Sequence, residues 1–142
     1  MFARATRLVP ALLLLVGPAL ADPVPFKPGL WEGVLTVSTD AFLDETPLWQ
    51  CFAQDGLSSD EILSMVEPQG QCELQSEAAS DTGVSYEAFC TGGTVSTASV
   101  NVVTEEGKLS VGADVVFDLG EGLLIPGLVL VNLSRTGDCP AE

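Results

Sequence analysis

Residues 108–119, KLSVGADVVFDL, alternate apolar and polar side chains over almost their whole length. One set of alternating positions holds Leu109, Val111, Ala113, Val115 and Phe117. Because successive side chains of a strand point to opposite faces, this pattern predicts a strand with one buried face and one solvated face. Strands of this kind are typical of antiparallel sheets, so the stretch assigns the chain to the β class.

Six further segments show a similar period of two: residues 31–39, 46–53, 71–77, 84–90, 94–104 and 128–135. Glycine ends each of the short predicted turns at Asp81-Thr82-Gly83, Thr91-Gly92-Gly93 and Glu105-Glu106-Gly107. Glycine tolerates the positive φ angles that tight hairpin turns require. The sequence therefore predicts seven strands joined mainly by hairpins.

Two segments depart from this period. Residues 58–66, SSDEILSMV, predict a helix of about two turns, with Ser58 or Ser59 as its N-cap. Residues 120–128, GEGLLIPGL, are apolar but contain Pro126 and three glycines. We interpret them as a long connection before the final strand, packing over one end of the sheet.

An antiparallel meander of about seven strands must protect its edges, and curling is an economical way to do so. We therefore expect a mainly β fold, an antiparallel meander of about seven strands curled into a small open or closed barrel, with one short helix. A sandwich of two sheets is the alternative.

The N-terminus has the features of a secretory signal peptide. Arg4 and Arg7 precede an apolar run, which is followed by the small-x-small sequence Ala19-Leu20-Ala21. The apolar run is too short to cross a bilayer, which takes about 20 residues, so no transmembrane anchor is expected. We expect a signal peptide over residues 1–21, cleaved after Ala21, and a single domain over residues 22–142 in the periplasm or outside the cell.

The charge of the mature chain excludes several classes of partner. The sequence has 5 basic and 20 acidic residues, and removal of Arg4 and Arg7 leaves 3 basic against 20 acidic ones, a net charge of −17. Such a charge repels nucleic acids and anionic lipid surfaces. A nucleic-acid partner is therefore not expected, whereas a cationic partner stays open.

The four cysteines predict two disulfides in an oxidising compartment. Cys72 and Cys90 lie symmetrically about Asp81, near the centre of a predicted hairpin, so they face each other across two strands. This pairing leaves Cys51 for Cys139, although the other two connectivities stay open. No two cysteines lie within four residues of each other and the chain has no histidine, so neither a zinc site nor a redox pair is expected.

The absence of histidine removes the commonest general base, so we expect no catalytic residues and no cofactor. A carboxylate pair drawn from Asp40, Asp44, Glu45, Asp55, Asp60 and Glu61 is the remaining route to a hydrolase. These residues fall in predicted turns, where acidic residues are common. A calcium site in residues 55–61 lacks the ordered spacing of an EF-hand loop.

The interior of the sheet is the better place for a binding site. Its predicted lining is apolar: Leu35, Val37, Tyr86, Val100, Val102, Leu109, Val111, Val115 and Phe117. A small barrel of this kind either fills itself with side chains or holds one small ligand.

The motif KPGLWEG, residues 27–33, places Pro28, Gly29, Trp31 and Glu32 shortly after the expected start of the mature chain. Together with Cys51 before a helix, Cys72 and Cys90 on neighbouring strands and the terminal RTGDCP, it resembles the domain-of-unknown-function family 3617. The resemblance covers nearly all the mature chain. It implies a small exported protein of Gram-negative bacteria and names no activity.

We expect Trp31 to point inward and to plug one end of the barrel, with Glu32 facing solvent. Lipocalins, which the chain resembles only in general architecture, lay an arginine of a late strand across a tryptophan of the first strand. We expect Arg135 to contact Trp31 in the same way.

The function we expect is non-enzymatic. The domain would be a monomer that binds a small apolar ligand or an envelope protein. The alternative is a structural or accessory protein with a filled core, acting through its acidic surface on a cationic partner or a divalent metal.

Overall fold

The computed structural model describes residues 26–80 and 83–140. The predicted signal peptide, its cleavage after Ala21 and residues 81–82 of a predicted turn lie outside them. The elements are β1 (Gly29–Ser38), β2 (Leu43–Phe52), α1 (Ser59–Val66), β3 (Gln71–Ala79), β4 (Gly83–Thr91), β5 (Val95–Glu105), β6 (Lys108–Asp118) and β7 (Leu124–Gly137).

All seven strands form one antiparallel sheet in the order β2-β1-β7-β6-β5-β4-β3. The predicted mainly β fold, its seven-stranded meander and its single short helix are confirmed. The sheet is open, because β2 and β3 are its two edges and do not pair with each other. Of the two expected forms, open and closed, the structure therefore shows the open one, and the sheet is not closed into a barrel.

The number of strands fixes the relative direction of the two edge strands. With every neighbouring pair antiparallel, an odd number of strands leaves β2 and β3 running in the same direction. The chain leaves β2 at one end of the sheet and enters β3 at the other. Such a connection needs a crossover, commonly a helix, and here it contains α1.

One face of the sheet, the inner face, is buried. Its core positions alternate along the strands, as in Val84, Tyr86, Ala88 and Cys90 of β4. The crossover lies over this face and contributes Leu57, Ile62, Leu63 and Val66 to the same core. The predicted cap is present, because the Ser58 side chain accepts from Glu61 N at 3.2 Å. The helix therefore fills the inner face as well as connecting the strands.

The interpretation of residues 120–128 as a connection was wrong in part. β7 begins at Leu124, and Pro126 lies within it opposite Val116 of β6. On its other side β7 is first paired at Leu128, opposite Ser38. Residues 124–127 thus form a local edge, where a proline that cannot donate a hydrogen bond is tolerated.

Candidate functional site

Five large apolar side chains are exposed at one end of the sheet. Phe42 lies in the β1–β2 turn and Leu43 begins β2, while Leu119 and Leu123 lie in the β6–β7 turn and Leu124 begins β7. Their exposed fractions lie between 53% and 67%. We call these five side chains the apolar end.

The pairing of β1 with β7 brings the two turns to the same end. Ser38, the last residue of β1, lies opposite Leu128 of β7. A Cβ added to Gly127 would lie 2.9 Å from Ser38 O, so the β1–β2 turn starts against the β7 backbone. Leu124 is only three residues away along β7. The two groups of apolar side chains therefore lie on adjacent turns at the same end of the sheet.

Hydrogen bonds order the β6–β7 turn. Leu119 N donates to Leu123 O at 3.0 Å, and Leu123 N donates to Gly120 O at 3.0 Å. The Asp118 carboxylate accepts from Gly120 N at 3.0 Å. Gly120, Glu121 and Gly122 all have positive φ angles, which glycine adopts without strain and glutamate does not. The turn therefore has a defined shape that holds its leucines out in solvent.

The apolar end continues onto the inner face. The inner face carries apolar side chains that are only partly buried; Leu35, Val37, Phe117 and Ile125 lie toward this end, and Leu48 lies farther along the sheet, opposite Gly33. All of them except Ile125 pack against the buried core. Partly buried apolar side chains of the inner face thus lie between the exposed turns and the core.

Exposed carboxylates lie at both ends of the sheet, but the cations of the described residues lie only away from the apolar end. Acidic side chains flank the apolar end and are exposed: Asp40, Asp44, Glu45, Asp118 and Glu121. The three basic residues of the described ranges, Lys27, Lys108 and Arg135, all lie at or near the opposite end. The apolar end is therefore framed by negative charge.

Trp31 lies at the opposite end and is a core residue, only 2% exposed. Its ring stacks on Phe26 with the centroids 4.2 Å apart, and its Nε1 donates to Lys27 O at 3.0 Å. Glu32 faces solvent, as the alternation predicted. Trp31 thus points inward from β1 and anchors the segment that precedes this strand.

Arg135 lies directly opposite Trp31 in the pairing of β1 with β7. Its Nε donates to Pro28 O at 2.9 Å, and its Nη2 donates to Asp138 Oδ1 at 2.8 Å. A Cβ on Gly29 would lie 2.6 Å from Arg135 Nε, so only glycine allows this approach. Arg135 thus ties the PGLWE segment to the last strand, while stacking of its guanidinium on the indole stays a prediction.

Both disulfides join the cysteines that the spacing favoured. Cys72 and Cys90 are direct cross-strand partners in β3 and β4. Cys51 of β2 is bonded to Cys139, just after β7, so the bridge ties the edge strand β2 to the segment that follows β7. Two disulfides in so small a domain are consistent with an exported protein.

Glu67, a buried charged residue directly after α1, was not predicted from the sequence. Its side chain is 4% exposed, and its Oε2 accepts from Val95 N at 2.8 Å while its Oε1 accepts from Gln69 N at 3.1 Å. A Cβ on Gly93 would lie 2.5 Å from this carboxylate. The contact fixes the end of α1 to the β4–β5 turn, and Gly93 leaves room for it.

The carboxylates considered for catalysis do not line a single cleft. Asp40 is in the β1–β2 turn, Asp44 and Glu45 follow in β2, and Asp60 and Glu61 are in the first turn of α1. Asp55 lies in the crossover before the helix.

Among residues 26–80 and 83–140, no group of three His, Cys, Asp or Glu side chains could hold a metal ion. In the same ranges no helix is long and apolar enough to span a membrane.

Tyr86, the single tyrosine of the chain, has a raised pKa. The first cause is its burial on the inner face, which disfavours the phenolate, and the second is the negative charge of Glu77. Glu77 lies directly opposite Tyr86 in the pairing of β3 with β4. The phenol therefore behaves as a neutral core group.

Residues 26–139 match a family model described as "Protein of unknown function (DUF3617)". The match covers β1 to β7 and all four cysteines, so the resemblance seen in the sequence is confirmed. No curated protein and no solved structure matches the chain.

Proposed function

The chain belongs to the DUF3617 family, a family of unknown function, and we propose that it is a monomeric, non-enzymatic exported domain that binds another envelope protein through its apolar end. The segment it binds is apolar and positively charged. The disulfides support its place in the periplasm or outside the cell, where both bonds persist.

The observation that carries this proposal is the exposure of Phe42, Leu43, Leu119, Leu123 and Leu124 together on adjacent turns. Single exposed apolar residues are ordinary on protein surfaces, but a contiguous group rimmed by polar residues is typical of an interaction site. The hydrogen bonds of the β6–β7 turn reduce the entropy lost on binding, since this turn already has a defined shape.

The surrounding charge selects the partner. Exposed carboxylates flank the apolar end, and the described cations lie toward the far end of the sheet. An anionic lipid or a fatty acid would be repelled there, whereas a basic segment would be attracted. This arrangement favours an apolar segment with lysine or arginine beside it.

The inner face supports a protein partner over a small ligand held inside the sheet. Leu57, Ile62 and Leu63 fill the space that a ligand would occupy, and each is at most 2% exposed. The candidate carboxylates are exposed, as solvated surface charges are, which supports a binding function over hydrolysis.

Binding of synthetic peptides to residues 22–142 tests this function. An amphipathic peptide of leucine and lysine is titrated calorimetrically, beside a peptide in which glutamate replaces every lysine. We expect saturable binding of the Leu/Lys peptide, weakening as salt is added, and no binding of the Leu/Glu peptide.

Variants then locate the site. The double variant Phe42→Ser, Leu123→Ser should weaken binding about tenfold or more, as removal of central apolar contacts does. Phe89→Ser is the matched control, because Phe89 is exposed on β4 to nearly the same fraction as Phe42, 56% against 53%. Equal loss in the control, equal binding of both peptides, or no binding at all would overturn the proposal.

A further inference from the structure

A groove of about 370 Å³ crosses the outer, solvent-facing side of the sheet, away from the apolar end. It lies over β1, β7, β6 and the end of β5. The first three of these strands are paired on both sides. Their backbone groups are therefore committed to the sheet, and a ligand in this groove would be recognised by side chains.

The residues of the groove form two cross-strand rows. In the first row, Glu32 lies opposite Ser134, and Ser134 lies opposite Lys108. The row continues on the other side of Glu32 to Trp49 of β2. Across β2, β1, β7 and β6, the row thus presents in order an indole ring, a carboxylate, a hydroxyl and an ammonium group.

The second row runs beside the first, two residues along each strand. Val34 lies opposite Asn132, Asn132 opposite Ser110, and Ser110 opposite Val103. Ser110 Oγ donates to Asn132 Oδ1 at 3.0 Å, which orients the amide. The amide nitrogen of Asn132 therefore keeps its N–H groups for a ligand. Val34 and Val103, each 40% exposed, form apolar borders on either side.

Trp49 is the most exposed of the large apolar side chains described, at 70%. The core does not require it, because it stands on the outer side of an edge strand. An indole with a free face is suited to packing against the C–H groups of a flat ring, with its edge still in water. Its position beside Glu32 puts such a ring in line with the polar row.

We propose that this groove and Trp49 bind a neutral oligosaccharide. A pyranose ring presents C–H groups that would pack on Trp49, and its hydroxyls would pair with the mixed donors and acceptors of Glu32, Ser134, Lys108 and Asn132. The strongly negative charge of the domain excludes sulfated, phosphorylated and uronic-acid glycans. The site is separate from the apolar end, so either one can fail without the other.

Two neutral probes test the site with residues 22–142 in solution: chitotetraose, which carries N-acetyl groups, and maltotetraose, which does not. Backbone amide NMR shifts and tryptophan fluorescence follow each titration. We expect saturable binding of at least one sugar, with shifts in residues 32–34, 108–110 and 132–134. Trp31 is buried and Trp49 is exposed, so a sugar would contact Trp49, and loss of the emission change in Trp49→Ala assigns the signal to it.

Trp49→Ala should weaken binding about tenfold or more, as truncation of an aromatic anchor does, and Glu32→Gln should weaken it less. Phe89→Ala removes another exposed outer aromatic ring and should leave the affinity within about twofold. Trp49 is exposed, so its variant is expected to keep its fold, which the disulfides and the circular dichroism spectrum check. Absence of saturable binding to both sugars, or equal affinity in Trp49→Ala, overturns the proposal.

Discussion

Replacement of Glu67 by alanine tests how the crossover helix is held on the inner face. Both hydrogen bonds of this carboxylate go to backbone N–H groups, those of Val95 and Gln69. Val95 is buried, 3% exposed, so its N–H loses its acceptor without gaining water, whereas Gln69 is exposed and can be hydrated. An unsatisfied buried donor costs about 1–3 kcal/mol, and a hydrogen bond to a charged group contributes about 1.5–3 kcal/mol.

We therefore expect Glu67→Ala to lower the free energy of unfolding by about 2–3 kcal/mol. Glu67→Gln keeps one acceptor for Val95 N and should lose about half as much. Urea unfolding with both disulfides intact measures these changes. Glu73→Ala removes an exposed carboxylate from β3 and is the control, expected within about 0.5 kcal/mol of the wild type. Equal losses for Glu67→Ala and Glu73→Ala would refute this role of the helix end.

Three further changes probe the fold. Replacing Cys51 and Cys139 by serine removes a disulfide between residues 88 positions apart and should lower the free energy of unfolding in urea by about 4–5 kcal/mol. A loss below about 1 kcal/mol would show that the bridge does not restrain the unfolded chain. Because the folded pKa of Tyr86 lies above 10.0, its stabilising effect is complete below that pH and is lost as pH rises through the folded value. Tyr86→Phe should accordingly flatten the fall in stability at high pH, and an unchanged profile would contradict the shift. A Cβ on Gly33 would clash with the β7 backbone at Asn132 O, so Gly33→Ala should cost about 2–3 kcal/mol, while Gly112→Ala, with only an ordinary contact to Leu130, should cost little.

The sequence predicted the strands where local pattern and burial agree. Alternation in residues 108–119 gave β6 almost to the residue, and the symmetry of Cys72 and Cys90 gave the β3–β4 pairing. Ser58 marked the start of α1 correctly. Each of these signals is local, so the rest of the fold was not needed to interpret it.

Features that depend on distant parts of the chain were not predictable. Pro126 looked like a strand breaker, and only the early end of β1 makes its place in β7 acceptable. Glu67 looked like one of 20 surface acids, because its acceptor role depends on Val95, 28 residues away. Whether the sheet closes depends on whether β2 pairs with β3, two strands at opposite edges, and no local pattern indicates that.

The candidate site was only partly visible in the sequence. Residues 120–128 were expected to pack over one end of the sheet, yet Leu123 and Leu124 are exposed there. The hydrophobicity of a turn does not show whether its side chains pack against the domain or stay exposed to solvent. Pairing of β1 with β7 brought Phe42 and Leu43 to the same end, and this pairing joins residues about a hundred positions apart.

Mapping the Leu/Lys peptide onto the domain by NMR is the most direct test of the proposed function. We predict that backbone amide shifts concentrate in residues 39–43 and 118–125, the two turns of the apolar end. Shifts that concentrate instead on the outer groove, or that spread evenly over the sheet, would contradict it.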